Sequence, residues 1–343
     1  MNIKRIIPTR KDTTFKCRYN IPFTSSPNET IFGVAKTYEV SSSGEVLRLV
    51  NSLDGWQSVT PLAFLPKGAG SITGMYCISD DIILIATING LIYRSVSPFD
   101  SLTLVLKMTT VGAYARNWSF TGSEDGSLVF IGEYGFKNSS NNARRIYMST
   151  NLGETFTEVA YIPQSTGSHV HKILYDNFTD ILWVSNGDLV TNRRLSKLSP
   201  PNYDNLQIIN TTIQPTDGLV FNDFLLWCQD STPFGLYKQN KSDNSLELIF
   251  NISSLFPEYA DTAYYMAYDG QYLYFTTTPD SSDIIPSAIF MSVYPFTDWK
   301  FVTKLPHHNK LRFKISHLIM YSNKLLAVVN FNRKFITFEV LTS

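Results

Sequence analysis

Four carboxylates stand beside apolar runs, where side chains of a strand-built protein could line a central pocket: Glu133, Asp217, Asp230 and Asp261. Hydrolysis of a glycosidic bond needs two carboxylates about 5–10 Å apart around the sugar, so these residues are candidates for that chemistry. Acidic residues beside turns are also ordinary turn and cap residues. The sequence favours this structural interpretation, because any strand-rich chain of this size carries some of them.

Two histidines in the segment His169-Val170-His171 could begin a metal site, since residues two apart on a strand share one face. No third ligand has a recognisable spacing, and the three cysteines form no C-x-x-C pair. Glycine-rich phosphate loops and the G-x-S-x-G and H-E-x-x-H signatures are absent from the sequence. We therefore predict no metal and no cofactor.

An internal repeat organises the elements that must position these residues. Its best copy is Ile146-Tyr147-Met148-Ser149, and near copies are Ile92-Tyr93-Arg94-Ser95 and Ile289-Phe290-Met291-Ser292. Seven positions after each serine stands a large apolar residue: Phe156, Leu102 and Trp299. With weaker copies included, the spacing is roughly 40–54 residues, close to the length of a four-stranded propeller blade.

Short polar turns between apolar runs predict a hairpin upstream of several copies. The runs are rich in β-branched and aromatic residues, which favours strands over helices. Asp-Gly and similar pairs between such runs are strong hairpin signals. The predicted hairpins join residues 75–79 to 82–86, 264–268 to 271–276, and 317–321 to 324–329.

The repeat predicts an all-β fold, a seven-bladed β-propeller forming a single domain over residues 1–343, with six or eight blades as alternatives. Six units lie between about residues 23 and 305, and the last unit has three strands. We expect the N-terminal segment, residues 1–22, to supply the missing outer strand from residues 3–7 or 15–19. Such closure would remove an exposed sheet edge.

The segment Ser149-x-Asn151-x-Gly153-x-Thr155-Phe156 resembles the Asp-box, Ser-x-Asp-x-Gly-x-Thr-Trp, of sialidase-like (BNR-repeat) β-propellers. Asn replaces Asp here, which keeps an acceptor and loses the charge. The resemblance implies a hairpin between the third and outer strands, with Ser and Asn bonded to local backbone groups and the aromatic residue packed into the blade. The box is a folding element, and propellers without enzymatic activity carry it, so it implies a scaffold and no particular reaction.

Sialidase chemistry would need three arginines that converge on a carboxylate, because guanidinium groups match planar carboxylates. The family places the first in a Phe/Tyr-Arg-Ile-Pro motif, whereas this chain has Arg18-Tyr19-Asn20-Ile21-Pro22. Only Arg116 and Arg312 lie near the starts of predicted inner strands. We therefore expect a non-catalytic protein. If the chain is an enzyme, the resemblance implies a glycoside hydrolase.

Charge is balanced and sparse: 29 basic and 29 acidic residues give a net charge of zero, and charged residues make up 17 % of the chain. Typical domains carry about 25 %. The basic run at residues 307–314 is short, which argues against a nucleic-acid partner. No signal peptide is predicted, and no apolar run of about 18 residues spans a membrane. These features predict a protein of the virion or the cytoplasm.

These observations favour a binding or structural module of a larger assembly, such as the tail, adaptor or receptor-binding protein of a phage virion. The predicted partners are other proteins of that assembly. The alternative is carbohydrate recognition, with surface glycans as ligands and with or without hydrolysis. The loops expected on the axial face supply the candidate binding residues, which are Arg116, Glu133, Tyr134, His169, Asp217, Asp261 and Arg312.

Overall fold

The structure, a computed structural model, describes residues 24–25, 31–37, 46–52, 60–135, 143–163, 169–187, 193–278, 285–305, 313–321, 324–331 and 334–340. Before residue 65 and at most positions after residue 312 it describes the backbone alone. The described residues fall into two compact units, the first containing 24–214 and the second 215–340. The predictions of a single domain and of closure by residues 1–22 remain predictions, and that segment lies outside the described residues.

The first unit contains four antiparallel sheets of four strands and one two-stranded pair. Sheet I has the order β1-β2-β3-β4: Thr24–Ser25, Ile31–Thr37, Val46–Ser52 and Thr60–Phe64. Sheet II has the order β5-β6-β7-β8: Ile72–Ser79, Ile82–Thr87, Leu91–Val96 and Thr103–Lys107. Sheet III has the order β10-β11-β13-β14: Phe120–Gly122, Val129–Gly132, Arg145–Ser149 and Thr157–Tyr161. Sheet IV has the order β15-β16-β17-β18: Val170–Asp176, Ile181–Asn186, Arg194–Leu198 and Gln207–Asn210. The pair joins β9 (Ala113–Tyr114) to β12 (Tyr134–Gly135), and a 3-10 turn at Asn117–Ser119 leads into sheet III.

The second unit repeats this plan. Sheet V has the order β19-β20-β21-β22: Pro215–Val220, Phe224–Gln229, Gly235–Asn240 and Leu246–Asn251. Sheet VI has the order β23-β24-β25-β26: Ala263–Tyr268, Tyr272–Thr277, Ala288–Val293 and Trp299–Lys304. Sheet VII has three described strands, β27-β28-β29: Phe313–Tyr321, Lys324–Phe331 and Lys334–Val340. A one-turn helix, α1 (Ile252–Leu255), and a 3-10 turn (Pro257–Tyr259) connect sheets V and VI.

The three predicted hairpins are confirmed as β5-β6, β23-β24 and β27-β28. The Ile-x-x-Ser copies lie in the third strands β7, β13 and β25, as the repeat predicts. The structure is therefore an all-β array of four-stranded antiparallel sheets, compatible with a propeller.

Burial follows strand position within each sheet. Second strands are the most deeply buried, and their sequences are mainly continuous apolar runs; every residue of β6 and β20 is buried. Outer strands such as β8 and β14 remain largely exposed. Apolar cores fill the spaces between sheets II and III, between III and IV, and between V and VI.

The segment that resembles an Asp-box forms a locally bonded turn between β13 and β14. The Ser149 hydroxyl accepts from Gly153 N at 3.0 Å and donates to Asn151 Oδ1 at 2.8 Å. Asn151 Oδ1 also accepts from Thr155 N at 3.1 Å. Leu152 and Gly153 both take positive φ, 55° and 75°. The side chains of Ser149 and Asn151 thus bond the backbone of the turn where the pairing of β13 with β14 ends.

Candidate functional site

Each of sheets II to VI has two distinct ends. At the turn end, the first strand passes to the second and the third to the fourth through short turns; at the loop end, the first strand begins and the second passes to the third. In the first unit, the loop end of sheet III is built by the β9-β12 pair, with Tyr114 opposite Tyr134. The 3-10 turn that follows β9 carries Trp118. The pairing of β9 with β12 thereby brings Tyr134, 20 positions later in the sequence, beside Tyr114, and these residues and Trp118 form one aromatic surface.

The Arg116 side chain lies among three aromatic rings, an arrangement we call the arginine cage: Tyr114, Arg116, Trp118 and Tyr134. Its guanidinium carbon is 4.9 Å from the Tyr134 ring centroid, 5.0 Å from that of Trp118 and 5.5 Å from that of Tyr114. Arg116 Nη2 also donates to the Tyr114 hydroxyl at 3.1 Å. The Tyr134 ring meets those of Tyr114 and Trp118 edge-on, at 5.5 and 5.6 Å. Cation–π attraction and edge-to-face packing both stabilise this geometry.

Sheet II fixes the position of the cage from one side. Asn117 Oδ1 accepts from the backbone N–H of Met75 at 3.1 Å, and Thr73 Oγ1 donates to the carbonyl of Ala115 at 2.6 Å. Gly74 permits this approach, because a Cβ there would lie 2.7 Å from the carbonyl carbon of Arg116. The backbone that carries Arg116 is therefore held by three consecutive residues of β5.

Two histidines extend the cage toward sheet IV. The His169 ring lies 4.2 Å from the Tyr134 ring, and the His171 ring stacks on His169 at 4.7 Å and an interplanar angle of 21°. Both histidines are buried, at 4 % and 7 % exposure, while Arg116, Trp118 and Tyr134 are half-buried. The cage thus presents its arginine and two of its rings at the surface, over a buried imidazole pair.

Glu133 lies directly beside the cage and is fully buried, at 0 % exposure. Its carboxylate accepts from Thr110 Oγ1 at 2.7 Å and from the Tyr147 hydroxyl at 2.9 Å. It also accepts from the backbone N–H groups of Arg144 and Arg145 at 3.2 Å each and of Thr110 at 3.4 Å. Burial raises the pKa of Tyr147 to about 12, so its hydroxyl remains a donor to Glu133. This carboxylate joins the loop before β9 to the start of β13.

The structure brings Arg116, Glu133, Tyr134 and His169 together in the first unit. Asp217 and Asp261 belong to the second unit. There Asp217 Oδ2 accepts from Met266 N at 2.9 Å, and Asp261, 1 % exposed, accepts from Thr262 N at 2.7 Å. Arg312 lies outside the described residues.

Sequence reasoning missed Tyr114 and Trp118 as members of the cage, and it considered His171 only as a metal ligand. The alternation Tyr114-x-Arg116-x-Trp118 was a usable signal, since it places aromatic residues on both sides of an arginine at a spacing of two. The sequence alone did not show that these residues form a cage, because Tyr134 reaches them only through the pairing of β12 with β9.

A groove of about 500 Å³ opens at the turn ends of sheets III and IV, and sequence reasoning missed it as well. Its walls include Asp125, Asp180, Tyr203 and two adjacent prolines. The polar groups are bonded within the walls: Ser123 and Ser127 donate to Asp125, and Tyr175 donates to Asp180. These hydrogen bonds hold the turns that form the walls of the groove.

The described part of the chain has neither a metal-binding cluster nor a membrane-spanning helix. No group of three or more His, Cys, Asp or Glu side chains there could hold a metal ion. No helix there is long and apolar enough to cross a membrane.

Comparison with known proteins gives the fold and no family. No family model matches the chain, and no curated protein matches it. A chain of the solved structure entitled "Crystal Structure of Mitotic Checkpoint Complex" is similar with a TM-score of 0.67 at 8 % identity, over 99 % of this chain and 96 % of that one. In all, 1051 chains of solved structures match, so the fold is widely shared and does not single out a function.

Proposed function

We propose that this protein is a non-catalytic interaction module and that a protein partner docks on the arginine cage. The observation that carries the proposal is the half-buried Arg116 held among Tyr114, Trp118 and Tyr134. Residues of these three types dominate the binding energy of protein interfaces. Rings and guanidinium are already ordered by one another and by sheet II, so a partner would lose little side-chain entropy on docking.

The neighbouring carboxylate supports binding over catalysis. Glu133 is fully buried and accepts hydrogen bonds from two hydroxyls and three backbone amides of its own chain. These hydrogen bonds occupy the carboxylate and hold it inside the fold. A general acid or base must instead reach the reacting atom of a substrate.

The finer features of the proposal come from the sequence. We infer a seven-bladed propeller closed by residues 1–22, related to the Asp-box propellers, in which the cage lies at the loop ends near the axis. We further infer a virion, such as a phage tail, as the assembly, because a surface low in charge and rich in Ser, Thr, Asn and Tyr suits a structural particle protein. Mass spectrometry of purified particles tests this last point.

The experiment that tests the docking proposal replaces Trp118. The full chain and its Trp118→Ala variant are cross-linked in the native extract or particle, and the captured proteins are quantified. A hot-spot aromatic contributes about 2 kcal/mol or more, so affinity for the partner should fall roughly thirtyfold. Phe178→Ala is the matched control, because Phe178 is an aromatic side chain of the same unit, 59 % exposed, at the turn end. Equal capture by all three proteins would refute docking on the cage.

A further inference from the structure

The groove at the turn ends of sheets III and IV is lined entirely by described residues of the first unit and has a volume of about 500 Å³. Its walls are three turns, between β10 and β11, between β15 and β16, and between β17 and β18. Binding sites commonly enclose about 300–1,000 Å³, so the groove has room for a short segment of a partner. Phe178, the control position for docking on the cage, is not one of the lining residues.

The charge of these turns is negative only. Three carboxylates line the groove, those of Glu124, Asp125 and Asp180, and all three residues are exposed. Residues 123–128, 177–180 and 199–206, which form the turns, contain no Lys, Arg or His. In the described part of the chain, no ion pair joins any of the three carboxylates to a basic side chain. The groove therefore attracts a cationic ligand.

Hydrogen bonds hold each aspartate of the groove through one oxygen. Asp125 Oδ1 accepts from the hydroxyls of Ser123 and Ser127 at 2.6 and 2.8 Å and from Ser127 N at 2.9 Å. Asp180 Oδ1 accepts from the Tyr175 hydroxyl at 2.9 Å. The Oδ2 atoms of both aspartates accept no hydrogen bond from the described residues. The side chains are thus oriented by their own turns, and a second oxygen is left for a ligand.

The three walls of the groove are also joined to one another. The backbone N–H of Glu124 donates to Asn177 Oδ1 at 3.0 Å, which joins the first turn to the second. The Tyr203 hydroxyl donates to the carbonyl of Asp180 at 3.0 Å, which joins the third turn to the second. Burial raises the pKa of Tyr175 well above its ordinary value, so its hydroxyl remains a donor to Asp180. Because the groove is already ordered, a ligand would lose little free energy in shaping it.

We propose that this groove is a second docking surface, which binds a segment of a partner protein that carries lysine or arginine. Glu124, Asp125 and Asp180 pair with the cationic groups of that segment. Pro200 and Pro201, which line the same groove, contact the methylene stems of its basic side chains. The cage lies at the loop end of sheet III and the groove at the turn end, so this inference goes beyond docking on the cage and does not depend on it.

A basic protein segment fits the groove better than a metal ion or a nucleic acid does. Ca²⁺ is held by about six to eight converging oxygens. No group of three or more His, Cys, Asp or Glu in the described part of the chain could hold a metal ion. The lining carboxylates belong to two separate turns, which suits basic side chains that are spaced along an extended segment. Phosphate groups of a nucleic acid are repelled by the same carboxylates.

The test uses the full chain and a fluorescent peptide of alternating Lys and Gly, with binding followed by anisotropy at about 0.1 M salt, where distant charges are screened. The double variant Glu124→Gln/Asp180→Asn removes two lining charges and keeps the side-chain shapes. Its affinity should fall about tenfold, since one exposed ion pair contributes up to about fivefold. The matched control Asp81→Asn/Glu154→Gln removes two exposed carboxylates at the turn ends of sheets II and III, outside the groove, and should bind within about twofold of the unaltered chain.

Thermal unfolding without peptide separates lost binding from lost structure. Glu124→Gln alone, whose side chain accepts no hydrogen bond from the described residues, should lose affinity about twofold to fivefold at an unchanged melting temperature. This single variant decides the test if Asp180→Asn disturbs its turn. Equal losses in the groove variants and in the control would overturn the proposal, and so would Ca²⁺ that binds the chain and displaces the peptide.

The cage variant keeps the two docking proposals distinguishable. Trp118→Ala should bind the Lys-Gly peptide as tightly as the unaltered chain does, because Trp118 lies at the loop end. If the unaltered chain does not bind the peptide while Trp118→Ala still reduces partner capture, this inference fails and the proposed function stands. Peptide binding that depends on Glu124 and Asp180, together with partner capture unaffected by Trp118→Ala, would support the groove and refute docking on the cage.

Discussion

The loop ends of the two units share a scaffold and differ in charge. In the first unit, Thr73 Oγ1 donates to the carbonyl of Ala115 at 2.6 Å; in the second, Thr216 Oγ1 donates to that of Ala263 at 2.6 Å. Each threonine lies near the start of the first strand of its sheet and donates a hydrogen bond to the loop end of the next sheet. The hydrogen bonds that connect neighbouring sheets are therefore repeated.

The side chains around these two hydrogen bonds are not repeated. The loop end of the first unit has the arginines Arg116, Arg144 and Arg193 and the buried carboxylate Glu133, and aromatic rings pack on Arg116 and Arg144. The second unit has Asp217, Asp230, Asp261 and Glu258 there. The hydrogen bonds between neighbouring sheets are thus repeated in the two units, whereas the loops carry different side chains. Function in this fold is thus to be sought where the units differ, and four measurements test that comparison.

The largest expected effect is that of Glu133→Ala in the first unit. The change leaves two hydroxyls and three backbone amides without this acceptor. Removal of one member of a buried charged network costs about 3–5 kcal/mol. Urea denaturation should show a free energy of unfolding lower by that amount. The control is Glu258→Ala, an exposed glutamate at the loop end of the second unit, which should stay within about 0.5 kcal/mol. A loss below about 1 kcal/mol for Glu133→Ala would mean that this carboxylate does not hold the cage in place.

A matched pair, Thr73→Val and Thr216→Val, tests whether the scaffold is the same in both units. Each removes one buried hydroxyl donor and leaves a carbonyl unpaired, so each should lower the free energy of unfolding by about 1–2 kcal/mol. Urea midpoints of the two variants should agree. Clearly unequal losses would show that the threonine hydrogen bond between neighbouring sheets does not contribute equally in the two units.

The turn between β13 and β14 provides a smaller effect. Ser149→Ala removes the hydroxyl that accepts from Gly153 N and donates to Asn151, and should cost about 1 kcal/mol. Asn151→Asp keeps the acceptor for Thr155 N and should cost less, because the resemblance to the Asp-box implies an aspartate at this position. Denaturation of both variants checks the order. A costlier Asn151→Asp would contradict the Asp-box interpretation of this turn.

The sequence predicted the strands well and the site only in part, for physical reasons. Hairpins such as β5-β6 are local, so turn residues and apolar alternation encode them directly. Arg116 was selected because it precedes an inner strand, which is also a local property. The cage, however, needs Tyr134 beside Tyr114 and Gly74 beneath Arg116, and these approaches depend on strand pairing and on packing of sheet II against sheet III. Glu133 was selected for its charge, but only the structure shows that it is buried and bonded by five donors.

The smallest effect concerns the turn ends, where the two units are alike. Asp125 in the first unit accepts from the hydroxyls of Ser123 and Ser127 and from the N–H of Ser127. These bonds lower the pKa of its exposed carboxyl to about 2, with Ser123 as the largest cause. Bonds from Ser245 likewise lower the pKa of Asp243 in the second unit. A carboxyl with a lowered pKa in the folded state stabilises the fold above its ordinary pKa of 3.8, and this contribution is lost as the pH falls toward 2.

Asp125→Asn and Asp243→Asn should therefore be slightly less stable than the unaltered chain at neutral pH and should lose less stability between about pH 5 and pH 2. Urea midpoints at both pH values measure this, and the two variants should behave alike, because the same Asx-type turn is altered in each unit. If one variant showed the pH-dependent change and the other did not, the turn ends would differ as the loop ends do. The contrast between a repeated scaffold and divergent loops would then no longer hold.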